Sequence, residues 1–360
     1  MISEQFAMVD AIEQMCAGKK VGFLPIRTAA DVMATDVKTL TMDHTVKAFL
    51  DFMATYKVRH APVVDFHDED KRNPYFVGVV SQRDVLRLTL PYAGQIGGQA
   101  IDRKALRQLL AQIVARKPKS ASPHTPIQEV IATMINNRIG MVPVLDDSNL
   151  VGIITTTNII KLYTKLDAAM RTLYPELKHV TKSTEPVPVG SPEVAALFSW
   201  VSQTVRDVMT ENVVCLRQQD ELAEAMKVMQ KHKFRHLPIL DEHDKLVGIV
   251  SDRDILQHLP FAGRRPPGQP ARFRKHLFKV DPKTASLRLP MDRIMTRKTA
   301  NVSPDLSVCE AAKMLRKSKI DCLPVLDERE NICGIVTVTD LMCALLAVYK
   351  PTQQSQPNPG

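Results

Sequence analysis

Four stretches of the chain share one pattern of apolar and polar positions. In each, apolar residues recur at intervals of three and four, which is the spacing of one buried face of an α-helix. Two short apolar strands follow, and the second ends in glycine. Two β-branched residues, a Ser or Thr and another helical stretch come after it. The pattern predicts an α/β unit repeated four times. The apolar helical faces span residues 46–53, 127–134, 222–229 and 308–315.

The strand pairs carry the most specific sequence signal. The first strand has proline in second position, and the second leads into a Gly-x-x-Ser/Thr-x-x-Asp/Asn motif. The four pairs read APVVD with GVVSQRD, VPVLD with GIITTTN, LPILD with GIVSDRD, and LPVLD with GIVTVTD. Repeats one and three also share an Arg-His pair before the proline strand, and LPYAGQ at residue 90 is echoed by LPFAGR at residue 259. The chain is therefore interpreted as a duplicated pair of repeats.

Composition narrows the class of protein. The 360 residues are 44% apolar and 24% charged, which suits a globular chain. No apolar stretch is long enough to span a bilayer, and acidic residues near the start argue against a secretion signal. Six cysteines without a CxxC pair indicate free thiols in a reducing cytoplasm. The sequence has no P-loop, metal-ligand or hydrolase motif, so we expect no enzyme activity, prosthetic group or metal.

The net charge of +9 is concentrated in one segment. Between residues 261 and 289, eight basic residues accompany one acidic residue. The Pro- and Arg-rich part of this segment, residues 264–275, is interpreted either as a solvated connection or as a contact for an acidic partner, phosphate or nucleic acid. Its basic residues are Arg264, Arg265, Arg272, Arg274 and Lys275.

Two motif positions have chemistry suited to a nucleotide. The Ser/Thr and Asp/Asn of the glycine motif fall at the start of a helix, where they can cap the helix. A short carboxylate there can also accept hydrogen bonds from ribose hydroxyls, and a helix start attracts phosphate. The Arg-His pairs suit phosphate oxygens, although a solvated strand start explains them equally well. The residues alone leave these alternatives open.

The repeated motifs resemble those of the CBS domain over nearly the whole chain, at residues 27–90, 109–166, 204–259 and 290–347. The resemblance implies an α/β (α+β) fold of four β-α-β-β-α repeats, in which two tandem Bateman modules form a disc. Chains of this kind include the nucleotide-sensing γ subunit of AMP-activated kinase and stand-alone microbial proteins. The other predicted segments are an N-terminal helix (1–26), a linker (167–203), a basic connection (260–289) and a disordered tail (348–360).

The resemblance also implies a role for each matched position. Ribose would be bound by Asp84, Asn158, Asp254 and Asp340. Phosphate or ribose would contact the hydroxyls of Ser81, Thr155, Ser251 and Thr337. Phosphates near the disc centre would be bound by Arg59, His60, Arg235 and His236. The candidates for the adenine cleft are Val37, Ala61, Pro62, Val213, Leu237 and Pro238.

Two positions depart from the family pattern. Asn158 is a neutral and weaker acceptor, and Asp321 would repel a nearby phosphate, so we expect repeats one and three to dominate binding. The resemblance then implies a non-catalytic cytoplasmic regulator that binds AMP, ADP or ATP, with S-adenosylmethionine or a cyclic dinucleotide less favoured. It would signal to an unknown protein partner, without a membrane, as a monomeric disc or a homodimer. The alternatives are a scaffold without ligand and a nucleic-acid-associated regulator using residues 264–275.

Overall fold

The computed structural model describes residues 26–67, 74–89, 106–173, 199–258 and 288–349. The predicted N-terminal helix, the basic residues of 264–275 and most of the predicted linker and tail lie outside these ranges. None of the helices within them is both long and apolar enough to cross a membrane.

Each repeat contains the helices that its apolar spacing predicts. Repeat 1 has α1 (Val46–Tyr56) and α2 (Gln82–Thr89), and repeat 2 has α3 (Ile127–Asn136) and α4 (Thr156–Leu173). Repeat 3 has α5 (Val205–Val208), α6 (Leu222–His232) and α7 (Asp252–His258). Repeat 4 has α8 (Met291–Ile294), α9 (Val308–Ser318) and α10 (Val338–Val348). Short 3-10 turns at Ala29–Asp31 and Leu110–Gln112 occupy the places of α5 and α8 in repeats 1 and 2.

The strands also recur. Repeat 1 has β1 (Leu40–Thr41), β2 (His60–Phe66) and β3 (Pro74–Ser81), and repeat 2 has β4 (Ala115–Arg116), β5 (Met141–Asp146) and β6 (Asn149–Thr155). Repeat 3 has β7 (Leu216–Arg217), β8 (His236–Leu240) and β9 (Leu246–Ser251), and repeat 4 has β10 (Cys322–Leu326) and β11 (Ile332–Thr337). The two longer strands of each repeat pair antiparallel.

Within each pair, the first segment of a repeat, meaning the stretch before its first long helix, pairs with the motif strand of the other repeat. Val79 of β3 pairs with Ala115 of repeat 2, and Ala34 of repeat 1 bridges to Ile153 of β6. Repeats 3 and 4 make the corresponding bridges, Thr210 to Ile335 and Thr296 to Ile249. The motif glycine permits this approach, because a Cβ on Gly248 would lie 3.0 Å from the Thr296 carbonyl oxygen. Repeats 1 and 2 therefore form one pair, and repeats 3 and 4 form a second.

Two hydrophobic cores join these pairs to each other. One core combines buried residues of repeats 1 and 3, such as Phe49 and Leu222. The other combines residues of repeats 2 and 4, such as Ile131 and Leu345. The first segments of the remaining repeats add to each core, such as Leu110 and Met291 in the first core and Ala29 and Val205 in the second. The apolar helical faces found in the sequence therefore stabilise the contact between the pairs as well as each repeat.

Two predicted boundaries need correction. Helix α4 continues to Leu173, so the linker does not begin at residue 167. The apolar spacing continues through Leu166, Met170 and Leu173, and all three side chains are buried. At the other end, Val348 and Tyr349 are also buried, so the tail does not begin at residue 348.

Candidate functional site

The motif acids all lie in the first turn of the helix that follows the second strand. In repeat 3, the Ser251 backbone N–H and hydroxyl both donate to Asp254 Oδ2, at 2.8 and 2.6 Å. The same two bonds join the Ser or Thr to the acid or amide in the other three repeats. The capping interpretation is therefore confirmed. A carboxylate offers about four acceptor positions, so these two bonds do not prevent it from accepting ribose hydroxyls.

Asn158 makes an additional bond that a carboxylate could not. Its Oδ1 accepts from Thr155, while its Nδ2 donates to the Val32 carbonyl at 3.0 Å. The amide thus ties the motif of repeat 2 to the exchanged first segment of repeat 1. This bond gives the departure from aspartate a structural reason.

A cleft of about 310 Å³ lies beside Asp254, within the range of about 300–1,000 Å³ usual for small-molecule sites. Both repeats of the second pair contribute to it, and Arg59 reaches it from repeat 1. Repeat 3 contributes Ile249, Ser251, Arg253, Asp254 and His236. Repeat 4 contributes Thr296, Lys298, Thr299, Ala300, Ser318, Lys319, Ile320, Asp321, Cys322 and Pro324. The cleft therefore combines a carboxylate, cations and an apolar wall.

Most of the apolar wall of this cleft comes from repeat 4, with Ile249 from repeat 3, whereas the sequence singled out positions in repeats 1 and 3. Thr299 and Pro324 stand at the positions that match Val213 and Pro238, and they line the cleft. The bridge between Thr296 and Ile249 explains the change, because it brings the first segment of repeat 4 beside the motif of repeat 3. Pairing the motif of one repeat with the first segment and the proline strand of its partner would have found these residues.

The predicted adenine-cleft residues themselves occupy three kinds of environment. Ala61 and Leu237 are fully buried in the core shared by repeats 1 and 3, so their side chains face that core and present no surface to a ligand. Pro62 and Pro238 are buried in β2 and β8, and Val37 and Val213 are half-buried in the first segments.

One matched position from each repeat meets at the centre, just before the proline strand. These positions are Arg59, Gly140, Arg235 and Asp321. Arg59 forms an ion pair with Asp321 across the two pairs of repeats. A Cβ on Gly140 would lie 2.7 Å from His60 Cε1 and 3.6 Å from Arg235 Nη1, so glycine leaves room for the side chains of both neighbours. The centre is thus a compact, mainly cationic cluster.

Further arginines crowd the same centre. Arg235 and Arg83 both donate to the Arg138 carbonyl, at 3.1 and 3.2 Å. Burial first, and then the charges of Arg253 and Arg235, lower the Arg59 pKa to about 10, while Asp252 opposes the shift. A cluster of this kind attracts anions, since Arg59, Arg83, Arg235 and Arg253 outnumber the two acidic neighbours, Asp252 and Asp321.

A comparison with known protein families finds one match for each of the four repeats. The model of the CBS domain matches residues 29–90, 110–165, 205–260 and 291–347. The chain belongs to the CBS domain family. Pairs of CBS domains are known to bind adenine nucleotides and to act as regulators. The four matched segments are the four repeats of the fold.

Individual relatives are similar to parts of the chain or to most of it. The uncharacterized protein MJ1426 of Methanocaldococcus jannaschii is 32% identical over 155 residues, which are 39% of this chain and 90% of the relative. The uncharacterized protein MJ1225 of the same organism is 23% identical over 234 residues, covering 65% of this chain and 69% of the relative. The crystal structure of MJ1225, described as a proposed archaeal homologue of γ-AMPK, superposes with a TM-score of 0.63 over 88% of this chain and 99% of that one, at 19% identity. That structure supports the fold.

The two central histidines of this CBS protein are held neutral. Burial is the main cause that lowers the pKa of His60 and of His236 to about 3 each, with further lowering by Arg59 and Arg235. Arg83 adds to the effect at His60 and Arg253 at His236. Both imidazoles are therefore uncharged at neutral pH, and the arginines supply the positive charge at the centre.

Acidification will destabilise the protein through these histidines. Their folded-state pKa lies below the ordinary value near 6.5, so the unfolded chain binds more protons between about pH 3 and 6.5. The stability that the uncharged histidines preserve is complete above pH 6.5 and is lost as the pH falls. We expect urea denaturation to show a loss of about 2 kcal/mol for each histidine, or about 4 kcal/mol for both, between pH 7 and pH 5. A His60→Asn/His236→Asn variant should lose clearly less, and an equal loss in both proteins would contradict this assignment.

Proposed function

We propose that this CBS protein binds an adenine nucleotide in the cleft beside Asp254 and regulates a partner without catalysis. The observation that carries the proposal is the convergence in that cleft of the motif carboxylate and hydroxyl, an apolar wall and a cation from the other pair of repeats. These are the groups that a ribose, an adenine ring and a phosphate require.

Each part of the ligand has a suitable partner. Asp254 and Ser251 would contact the ribose, since a carboxylate accepts two hydroxyl protons well. Ala300, Ile320 and Pro324 would contact the adenine ring, because apolar side chains line most sites for flat ligands. Phosphate oxygens would lie toward Arg59, whose fork geometry suits them.

The ion pair at the centre supplies a way to signal. Arg59 belongs to repeat 1 and Asp321 to repeat 4, so their ion pair links the two pairs of repeats. A phosphate in the cleft would compete with Asp321 for Arg59. Binding would then favour the arrangement of the pairs in which Arg59 contacts the phosphate, and the shift would be limited by the difference in affinity between the two arrangements.

Calorimetry tests the proposal. The ligands are AMP, ADP, ATP, S-adenosylmethionine and cyclic di-AMP, titrated into the full chain. We expect saturable heat with at least one adenine nucleotide and weaker binding of the other two classes. Absence of binding by every ligand would overturn the proposal in favour of a scaffold, in which the motif acids serve only as caps.

Asp321 should limit nucleotide affinity. Because its carboxylate lies in the cleft and holds Arg59, replacing it with asparagine removes a repulsive charge and releases the guanidinium. We expect Asp321→Asn to raise the affinity for AMP and ATP about tenfold, or ~1.4 kcal/mol, measured by calorimetry. Asp305→Asn is the matched control, since Asp305 pairs with Arg206 at an exposed position. Unchanged or weaker binding by Asp321→Asn would contradict the competition between Asp321 and phosphate.

A further inference from the structure

Two lysines at matched positions have a backbone conformation that side chains disfavour. Lys117 of repeat 2 has φ 53° and Lys298 of repeat 4 has φ 55°. Each lies four residues before the position that pairs with the proline strand, Ala121 with Val144 and Val302 with Val325. Glycine is the residue best suited to this left-handed region. A lysine retained there in both repeats points to a role for its side chain.

Lys298 has no structural role that would explain it. It lines the cleft beside Asp254 together with Lys319. Lys319 has φ 54° but caps the end of α9, where a cation stabilises the last carbonyls. Lys298 follows the short helix α8 by four residues and caps no helix. Among the described residues, Lys298 has no hydrogen bond or ion pair, so its ammonium group is available to a ligand.

The matched positions of repeats 1 and 3 carry Asp36 and Asn212 instead of lysine. Because first segments are exchanged within each pair, residue 298 lies in the segment that pairs with the motif strand of repeat 3. Residue 117 lies in the segment that pairs with the motif strand of repeat 1. In the same way Asp36 belongs with Asn158, and Asn212 with Asp340. Lys298 therefore lies in the cleft with Asp254, and Lys117 follows the strand that pairs with the motif strand of Asp84. The motif of Asn158 has Asp36 at this position, in an ion pair with Lys38, and the motif of Asp340 has the neutral Asn212.

We infer that this position selects ligands by their phosphate charge, with Lys298 and Lys117 as specificity-determining residues. The motifs with Asp254 and Asp84 then take adenine nucleotides that carry phosphate. The motif with Asn158 binds phosphate more weakly, because it lacks the lysine and the matched residue Asp36 is in an ion pair with Lys38 at 2.9 Å. The inference rests on the proposed function and adds the residue that separates nucleotides from nucleosides.

The Lys298→Gly variant tests the inference without risk to folding. Glycine adopts φ 55° without a steric penalty, so the midpoint of thermal unfolding should stay the same or rise. Calorimetry of the full chain should show that AMP and ATP bind about tenfold more weakly at this cleft, whereas adenosine binds as it does to wild type. The Lys117→Gly/Lys298→Gly variant should show the same loss at both sites, and Lys298→Arg should restore most of the affinity.

Glu330→Gly is the matched control. Glu330 has φ 60° in the hairpin turn of repeat 4 and does not line the cleft, so its replacement should leave AMP affinity unchanged. Wild-type affinity for AMP in Lys298→Gly would overturn the inference while leaving the proposed function intact. Equal losses for AMP and adenosine would also overturn it, since the lysine would then act on shape and not on charge. Failure of wild type to bind any nucleotide would overturn the proposed function itself.

Discussion

Alanine in place of Asp254 will lower the affinity for AMP and ATP at the second pair of repeats by about 100-fold. Each hydrogen bond from a ribose hydroxyl to a charged acceptor contributes about 1.5 kcal/mol or more. Loss of two such bonds therefore corresponds to roughly 3 kcal/mol, or about a factor of 100. Calorimetric titration of the Asp254→Ala variant measures this directly.

Asp207 provides the control for the capping role. The Thr204 backbone N–H and hydroxyl donate to Asp207 Oδ2 at 2.7 and 2.8 Å, nearly the same bonds as those at Asp254, and Asp207 does not line the cleft. Asp207→Ala and Asp254→Ala should each lose about 1 kcal/mol of stability. Only Asp254→Ala should lose nucleotide. If Asp254→Ala binds as tightly as wild type, the motif acid is a cap and nothing more.

Arg171→Ala will produce the largest loss of stability that we expect from one side chain. Asp167 on α4 is 3% exposed and accepts from Arg171 Nε at 2.9 and 3.1 Å. It lies against Cys309 of repeat 4, whose thiol pKa is raised to about 12, first by burial and then by the Asp167 charge. Without Arg171 a buried carboxylate loses its ion-pair partner, which costs about 3 kcal/mol. Urea denaturation at pH 7 measures the loss.

An exposed ion pair on the facing helix α9 is the control for Arg171→Ala. Lys313 and Glu310 of α9 pair at 2.5 Å, but both are about half exposed. Lys313→Ala should therefore cost less than about 0.5 kcal/mol. Similar losses in Lys313→Ala and Arg171→Ala would show that burial of Asp167 does not set the cost, and would contradict the role given to this contact between α4 and α9.

The sequence predicted the elements of each repeat well because these elements depend on local signals. The apolar spacing of α1, α3, α6 and α9 matches their buried faces. The Ser/Thr and Asp/Asn positions form the helix starts that the motif predicts. The extension of α4 to Leu173 was also readable, since the spacing of three and four continues past residue 166.

The composition of the cleft could not be read from one repeat at a time. Thr299 reaches the cleft beside Asp254 because the first segments are exchanged, and Pro324 lies there because Val302 of the same segment pairs with Val325 of β10. These pairings join residues far apart in sequence. The same limit applies to Asp321. Its charge predicted repulsion of phosphate, but its ion pair with Arg59 of repeat 1 depends on how the two pairs of repeats pack. Contacts of this kind depend on tertiary structure, which the motif of a single repeat does not determine.

A crystal structure of the full chain with AMP is the most direct test of nucleotide binding at Asp254. The account predicts AMP in the cleft, with its ribose hydroxyls about 2.8 Å from the Asp254 carboxylate and its adenine against Ala300 and Pro324. Its phosphate should contact Arg59, which turns away from Asp321. AMP bound elsewhere, or an empty cleft at saturating AMP with the Arg59–Asp321 ion pair unchanged, would contradict the account.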